Sequence, residues 1–487
     1  MNKTIRNLEP KAVWNNFSDL NAVPRGSKKE ERVIQFMVDF GKKLGLETVV
    51  DPIQNVIIKK PATKGMEDRK TVVLQSHLDM VWQKNNDTDF DFETEGIKMI
   101  IDGEWVTADG TTLGADNGLG VAAIMSILES SDISHPALEA LFTIDEETGM
   151  TGAQGLEGGY LDGEILLNLD TEDDDEIDMG CAGGIDVTAK GIYKEERVLD
   201  NTVSMCLVVT GLNGGHSGMD IHKGLGNANK IMNRLLFETF DFEIDVVSIH
   251  GGSLRNAIPR ESNVVLVVPT AKKEAFENKI EAISKDIKKE FATMDGGLQI
   301  LLNECDVPAT KTMNTRSQIA LIKAIYAAHN GVYRMSPDME DLTETSNNIA
   351  KVTVENGTIL IECLTRSSVE SSKIDLAQGL QSSFELAGYE VDFSGSYPGW
   401  QPNVNSAILG VLTDVYTNMF DKKPNVVACH AGLECGILGT NYPDMDMISF
   451  GPTIQGAHSP DERANIKSVQ KFWNYLLEIL ENIPNRA

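Results

Sequence analysis

The residues of this chain best suited to hold divalent metal lie at its two ends. His77, Asp116, Glu147 and Asp170 fall within the first 170 positions, in TVVLQSHLD, TTLGADNGLG, LFTIDEE and ILLNLDTE, while His458 stands near the C-terminus in GAHSPDE. If these five converge on one site, the first and last parts of the chain fold together and the middle is an insertion. The domain that carries the chemistry is then discontinuous, with the motifs placed where apolar, strand-like runs give way to polar loops, as sites of α/β proteins are.

At 487 residues the chain exceeds one compact domain. Between the capping-box pattern Ser27/Glu30, with Val33, Met37, Phe40 and Leu44 at helical spacing, and about Ile185, short apolar runs alternate with helices; GVAAIMSILES reads as a buried helix. This predicts an α/β unit with a mixed, largely parallel sheet. From Met205 the order strand, helix, strand, strand, helix, strand is that of a split βαβ unit of ferredoxin-like type. A helix from Ile319, the strands AKVTV and TILIECL, a helix from Ile374 and YEVDF suggest a second, imperfect copy. The expected division is residues 1–187 and 397–487 for the catalytic domain and 188–396 for an inserted α+β lid domain.

With 73 Asp and Glu against 43 Lys and Arg, a net charge of −30 opposes binding to nucleic acid and to anionic membranes. The first residues lack a secretory apolar core and no later stretch reaches membrane-spanning length, so a cytoplasmic protein is expected. Cys181, Cys206, Cys305, Cys363, Cys429 and Cys435 are dispersed without a CxxC pair and read as buried thiols.

Imidazole nitrogen and carboxylate oxygen suit zinc, cobalt or manganese. Two such cations need a carboxylate that bridges them, and Asp116 in the GADNG turn is the natural one. Asp79, two residues from His77, can accept the imidazole proton on the nitrogen that faces away from metal. Glu146 and Glu147 can divide their work, one binding metal and the other handling protons. An isolated HxD or EE pair is common; their joint occurrence with the other motifs is not.

Those motifs, together with QSHLDMVWQKNND, TIDEETGMTGAQGL, GGHSGMDIHKGLGNANK, GGSLRNAIPRE, HAGLECG and GPTIQGAHSPDE, resemble the M20 family of metallopeptidases over nearly the whole chain. The CAGG, GLGNANK and YPGWQP segments are similar to its aminoacyl-histidine dipeptidase branch, also called peptidase D or Xaa-His dipeptidase. The resemblance implies that His77 and Asp170 bind one metal, Glu147 and His458 the other, and Asp116 both, with zinc the usual ion. It makes Glu146 the general base and Asp79 the residue orienting His77, and it implies a cis Asp116–Asn117 peptide. It places His216 at the oxyanion, with Asn256 and Arg366 as candidates for holding a dipeptide, Arg366 by its terminal carboxylate. A homodimer through the lid is known among family members with a single module and stays open here. N-acyl amino acid amidohydrolysis and a silent metal- or peptide-binding role are the alternatives. His135, His250 and His329 read as structural, His222 and His430 as undecided, and Trp82 replaces the proline expected at its position.

Overall fold

The computed structural model describes residues 2–486. It divides into two compact units: residues 1–180, 402–428 and 433–487 form the first, and 181–401 with 429–432 the second. The first break falls at 180/181 and the second at 401/402, against the 187/188 and 396/397 read from sequence. The first difference lies in Gly183–Ile192, a strand of the second unit's sheet, and the second in Trp400, which exchanges backbone hydrogen bonds with Cys181 of that unit.

The first unit is built on an eight-stranded sheet in the order Glu47–Val50, Val56–Lys60, Leu138–Thr143, Val72–His77, Ile165–Asn168, Asp446–Ser449, Glu176–Cys181, Asn425–Cys429. Its four central strands, from Leu138–Thr143 to Asp446–Ser449, run parallel, and their neighbours Val56–Lys60 and Glu176–Cys181 pair antiparallel. The sheet is therefore mixed. Of the central strands, Val72–His77, Leu138–Thr143 and Ile165–Asn168 are mostly apolar and buried at every residue, which suits strands covered on both faces. Because they are parallel, they end on one edge of the sheet, and His77, Glu146, Glu147, Asp170 and the segment leading to His458 leave from that edge.

A smaller four-stranded sheet joins the two ends of the chain. The hairpin of Ile454–Gln455 and Arg463–Asn465 pairs with Trp105–Ala108, which pairs with Met99–Asp102. GVAAIMSILES lies in the helix Ala115–Glu129, whose residues from Asn117 to Leu128 are all buried.

The helix Glu31–Lys43 buries Val33 and Met37 and is closed by Gly45 at φ +70°. Ser27 and Glu30 do not form the expected capping box. Ser27 Oγ donates to Asp79 instead, at 2.8 Å, and Glu30 accepts from the Asp145 amide at 3.0 Å.

The second unit holds one nine-stranded sheet, antiparallel wherever two strands pair. Taking Thr202–Thr210, Asp245–Gly251, Ser262–Pro269 and Gln299–Glu304 as strands 1 to 4, their order is 4-1-3-2. Numbered in the same way, Gly183–Ile192, Thr343–Glu355, Thr358–Ser367 and Glu390–Tyr397 follow as 2-3-1-4, the same order read from the opposite edge of the sheet. Helices Ala228–Phe237, Lys273–Glu290, Thr315–Ala327 and Glu370–Glu385 bury Leu235, Ile280, Leu321 and Phe384 in one shared core with both halves. Cys206 and Cys305, expected as thiols, form a disulfide: the pairing of their strands sets Cys206 opposite Asn303, two residues before Cys305.

Candidate metal centre

Three of the five ligand candidates stand at or just beyond a parallel strand: His77 ends Val72–His77, Glu147 follows Leu138–Thr143, and Asp170 follows Ile165–Asn168. Asp116 departs from the strand-end expectation and opens the helix Ala115–Glu129 after the left-handed Gly114. The Asp116–Asn117 peptide is cis. His458 sits at φ +62° in the loop of the hairpin that ends in Arg463–Asn465.

The side chains gather into two donor groups that share one residue. His77, Asp116 and Asp170 each place a ligand atom within 4.8 Å of the others, and so do Asp116, Glu147 and His458. Asp116 divides its oxygens between them: Oδ1 is 3.1 Å from His77 Nε2, and Oδ2 is 3.2 Å from His458 Nε2. His77 Nε2 is 3.5 Å from Asp170 Oδ1, and His458 Nε2 is 2.8 Å from Glu147 Oε2. Behind the site, Asp79 Oδ1 lies 3.3 Å from His77 Nδ1, fixing which ring nitrogen faces the cluster. Its two oxygens also accept the amides of Glu146 and Glu147, at 3.1 and 3.3 Å, so one buried carboxylate aims both the imidazole and the glutamate pair.

The donor chemistry fits two divalent cations. Burial raises the pKa values of Glu146, Glu147 and Asp170, and neighbouring carboxylates add to the rise. Glu147 Oε1 is buried without a hydrogen-bond partner. Cations at the two groups would relieve this crowding and engage the orphaned oxygen. A third acidic group, Glu30, Asp79 and Asp145, is already occupied by protein donors: Ser27, Thr148 and Thr151 hydroxyls and backbone amides.

The sequence matches the model of peptidase family M20/M25/M40 over residues 73–482. The chain belongs to this family. The cytosol non-specific dipeptidase of Escherichia coli (strain K12) is 42% identical over 478 residues, 98% of each chain. The crystal structure of an aminoacylhistidine dipeptidase from Vibrio alginolyticus is 44% identical, with 99% of each chain covered and a TM-score of 0.94. A tripeptidase from Staphylococcus aureus shares the fold at 17% identity, covering 98% of this chain and 99% of its own, with a TM-score of 0.57.

Within the second unit of this M20 chain, the structure brings His216, Asn256 and Arg366 to one place. The short pairing of Gly215–His216 with Ala257–Ile258 sets Asn256 beside His216, and the Asn256 carbonyl accepts the Ser217 amide at 2.8 Å. His216 Nδ1 accepts the amide of Met219 at 3.0 Å, which leaves the proton of the neutral ring on Nε2. Burial, then the Arg366 cation, lowers the His216 pKa and keeps the ring neutral. Arg366 is buried and donates to Tyr397 OH at 2.8 Å. The CAGG and YPGWQP segments meet here: Cys181 and Trp400 exchange backbone hydrogen bonds, and a Cβ at Gly184 would fall 2.7 Å from the Tyr397 ring.

His430, undecided from sequence, is buried in the same unit with Nε2 at 2.8 Å from Ser346 Oγ. Burial, then Arg366, His216 and His222, push its pKa from 6.5 down to about 3. The folded chain thus keeps the ring neutral where the unfolded chain protonates it. Its contribution is complete above about pH 6.5 and is lost as the pH falls toward 3, by up to about 3 kcal/mol at pH 4. The thermal midpoint is expected to fall less between about pH 7 and pH 4 in His430→Asn than in the parent chain; parallel declines would show that His430 is not held neutral.

His135 and His329 bond backbone carbonyls, and exposed His250 lies 3.8 Å from Glu355, in keeping with structural roles. Exposed His222 lies on a short 3-10 turn, and Trp82 stacks on Phe92 at 5.4 Å. Sequence reasoning passed over Arg25, Glu434 and Glu462. Glu434 Oε2 accepts from Gln75 Nε2 at 2.6 Å and Thr143 Oγ1 at 2.7 Å, and Gln75 Oε1 accepts from Asn168 at 2.5 Å. This buried network ties together the strands that end at His77 and lead to Asp170. Burial pushes Glu434 up to about 7. Glu434 and Glu462 lie inside HAGLECG and GAHSPDE, so the motifs flagged them without assigning a task.

Proposed function

We propose that the chain is a metal-dependent dipeptidase acting on small unblocked dipeptides, with Xaa-His substrates such as β-alanyl-histidine foremost. The observation that carries this reading is Asp116 divided between two His-and-carboxylate groups, in a chain alike over 98% of its length to a curated dipeptidase. In this reading His77, Asp116 and Asp170 hold one cation, and Asp116, Glu147 and His458 the other. Zinc is the proposed ion; cobalt and manganese suit the same donors. The pair supplies Lewis-acid polarisation and activates water near neutral pH.

The protein's own groups do the rest. Glu146, outside both donor groups, takes the proton of the attacking water and delivers it to the leaving amine. Asp79 keeps His77 in the required tautomer. The Nε2–H of neutral His216 is the oxyanion donor, and Arg366 with Asn256 receives the substrate's terminal carboxylate. We read the second unit as two ferredoxin-like modules, one nested within the other, forming the lid domain. The Escherichia coli relative is named for the cytosol, and we infer the same compartment here.

An N-acyl amino acid amidohydrolase would use the same metals and base. The deciding experiment is a panel of carnosine, other Xaa-His and non-His dipeptides, and N-acetyl amino acids, assayed before and after chelation. Free-amine dipeptides should be hydrolysed at least about tenfold better in kcat/KM than acetylated compounds, a difference of about 1.4 kcal/mol. Chelation should abolish the activity and metal restore it. Faster hydrolysis of the N-acetyl amino acids than of the free-amine dipeptides would sink the dipeptidase reading.

A further inference from the structure

Glu462 fastens the turn that carries Asp116 to the hairpin that carries His458. It is 2% exposed, and both of its oxygens face the Asp116 turn. Oε2 accepts the amides of Leu113 and Gly114 at 2.7 and 2.9 Å, and Oε1 those of Ala115 and Asp116 at 2.7 and 3.3 Å. Successive backbone N–H groups closing around an anion make a nest of the kind that elsewhere holds phosphate. Here the protein supplies the anion from its own C-terminal segment, about 350 residues away in sequence.

The other side of the turn is held by Arg25, which is fully buried. Its Nη2 donates to the Gly114 carbonyl at 2.5 Å, and its Nη1 to those of Leu78 and Asp79 at 3.1 and 2.9 Å. The glycines of LGADNG make this grip possible: a Cβ on Gly114 or Gly118 would come within 2.5 or 2.6 Å of Arg25 Nη2. The turn's amides are thus bonded on one side and a carbonyl on the other, leaving the Asp116 carboxylate free for the donor groups.

We propose that Glu462 is a positioning residue for the ion held by Asp116, Glu147 and His458. It acts through backbone, fixing Asp116 by the four amides and His458 by its own place four residues further along the same loop. The two centres depend on it unequally. The Asp116/Glu147/His458 group takes two of its three ligands from the segments Glu462 joins. The His77/Asp116/Asp170 group takes one, with His77 fixed by its strand and by Asp79. Loss of Glu462 should therefore weaken one ion selectively.

The inference rests on the ligand assignment made under Proposed function. Its test is Glu462→Gln in the full chain, stripped of metal and titrated with zinc by calorimetry and elemental analysis, alongside kcat and KM for a dipeptide. Gln keeps the volume but sets an NH2 against N–H donors. One equivalent should bind as in the parent chain and the second about 10- to 100-fold more weakly, the range for losing a residue that supports a ligand. At limiting zinc kcat should fall by the same factor and recover as zinc is raised, with KM unchanged. Equal weakening of both equivalents, or of neither, overturns the proposal. Should Glu462→Gln fail to fold, Glu462→Asp keeps the charge with a shorter reach, and the same selective order is expected at smaller size. A parent chain that binds fewer than two zinc ions would refute the ligand assignment itself, a separate outcome.

Discussion

Glu146→Gln is expected to keep both metal ions and lower kcat by about 10²- to 10⁴-fold, the usual worth of a positioned proton-transfer group. The separation of roles follows from the turn at Glu146–Gly149. Asp79 takes the amides of Glu146 and Glu147 together, so the two side chains leave a fixed backbone in different directions. Glu147 turns to His458, with Oε2 at 2.8 Å from Nε2, while Glu146 contributes to neither donor group. Gln preserves volume and removes only the proton acceptor. Metal content by elemental analysis and kcat on carnosine measure the two halves of the prediction. Turnover like the parent's would remove Glu146 as base, and loss of one ion would make it a ligand.

Much of this centre was legible in the sequence because its parts lie where local pattern is strongest. The strands ending at His77 and preceding Glu147 and Asp170 are short, fully buried and mostly apolar, and the ligands stand at or just beyond their ends. Asp79 was legible from its spacing to His77 once the other motifs stood beside it. What pattern could not reach was contact through backbone. Glu462 bonds four amides of another segment, and amides carry no side-chain signature; its motif marked the place and not the task.

Ser27 misled for a related reason. Its spacing to Glu30 suits a helix cap, but the hydroxyl found Asp79 in another segment, and a tertiary partner displaced the local one. Gly183–Ile192 opens with two glycines and belongs beside Thr358–Ser367, far along the chain, so the second set of four strands looked incomplete from sequence. Cys206 and Cys305, separated by 99 positions, meet only through the register of two strands.

Asp116→Asn should weaken both ions at once, whereas Asp170→Asn should weaken one. Asp116 Oδ1 serves the His77 group and Oδ2 the His458 group, and an amide offers one oxygen and one NH2 that repels a cation. The Lewis-acid contribution at stake is several kcal/mol. At about 1.4 kcal/mol per factor of ten, kcat should fall roughly 10³-fold or more. Stability separates this loss from misfolding. In the metal-free chain His458 and His77 hold the Asp116 carboxylate well below its usual pKa, so neutralising Asp116 should lower the metal-free midpoint somewhat, and the effect of metal is read against each variant's own metal-free midpoint. The rise in thermal midpoint on adding zinc should then shrink most in Asp116→Asn and less in Asp170→Asn, because ligand-induced stabilisation scales with the affinity that remains. One ion still held tightly in Asp116→Asn would show that the carboxylate serves a single centre, and the bridging role would be withdrawn.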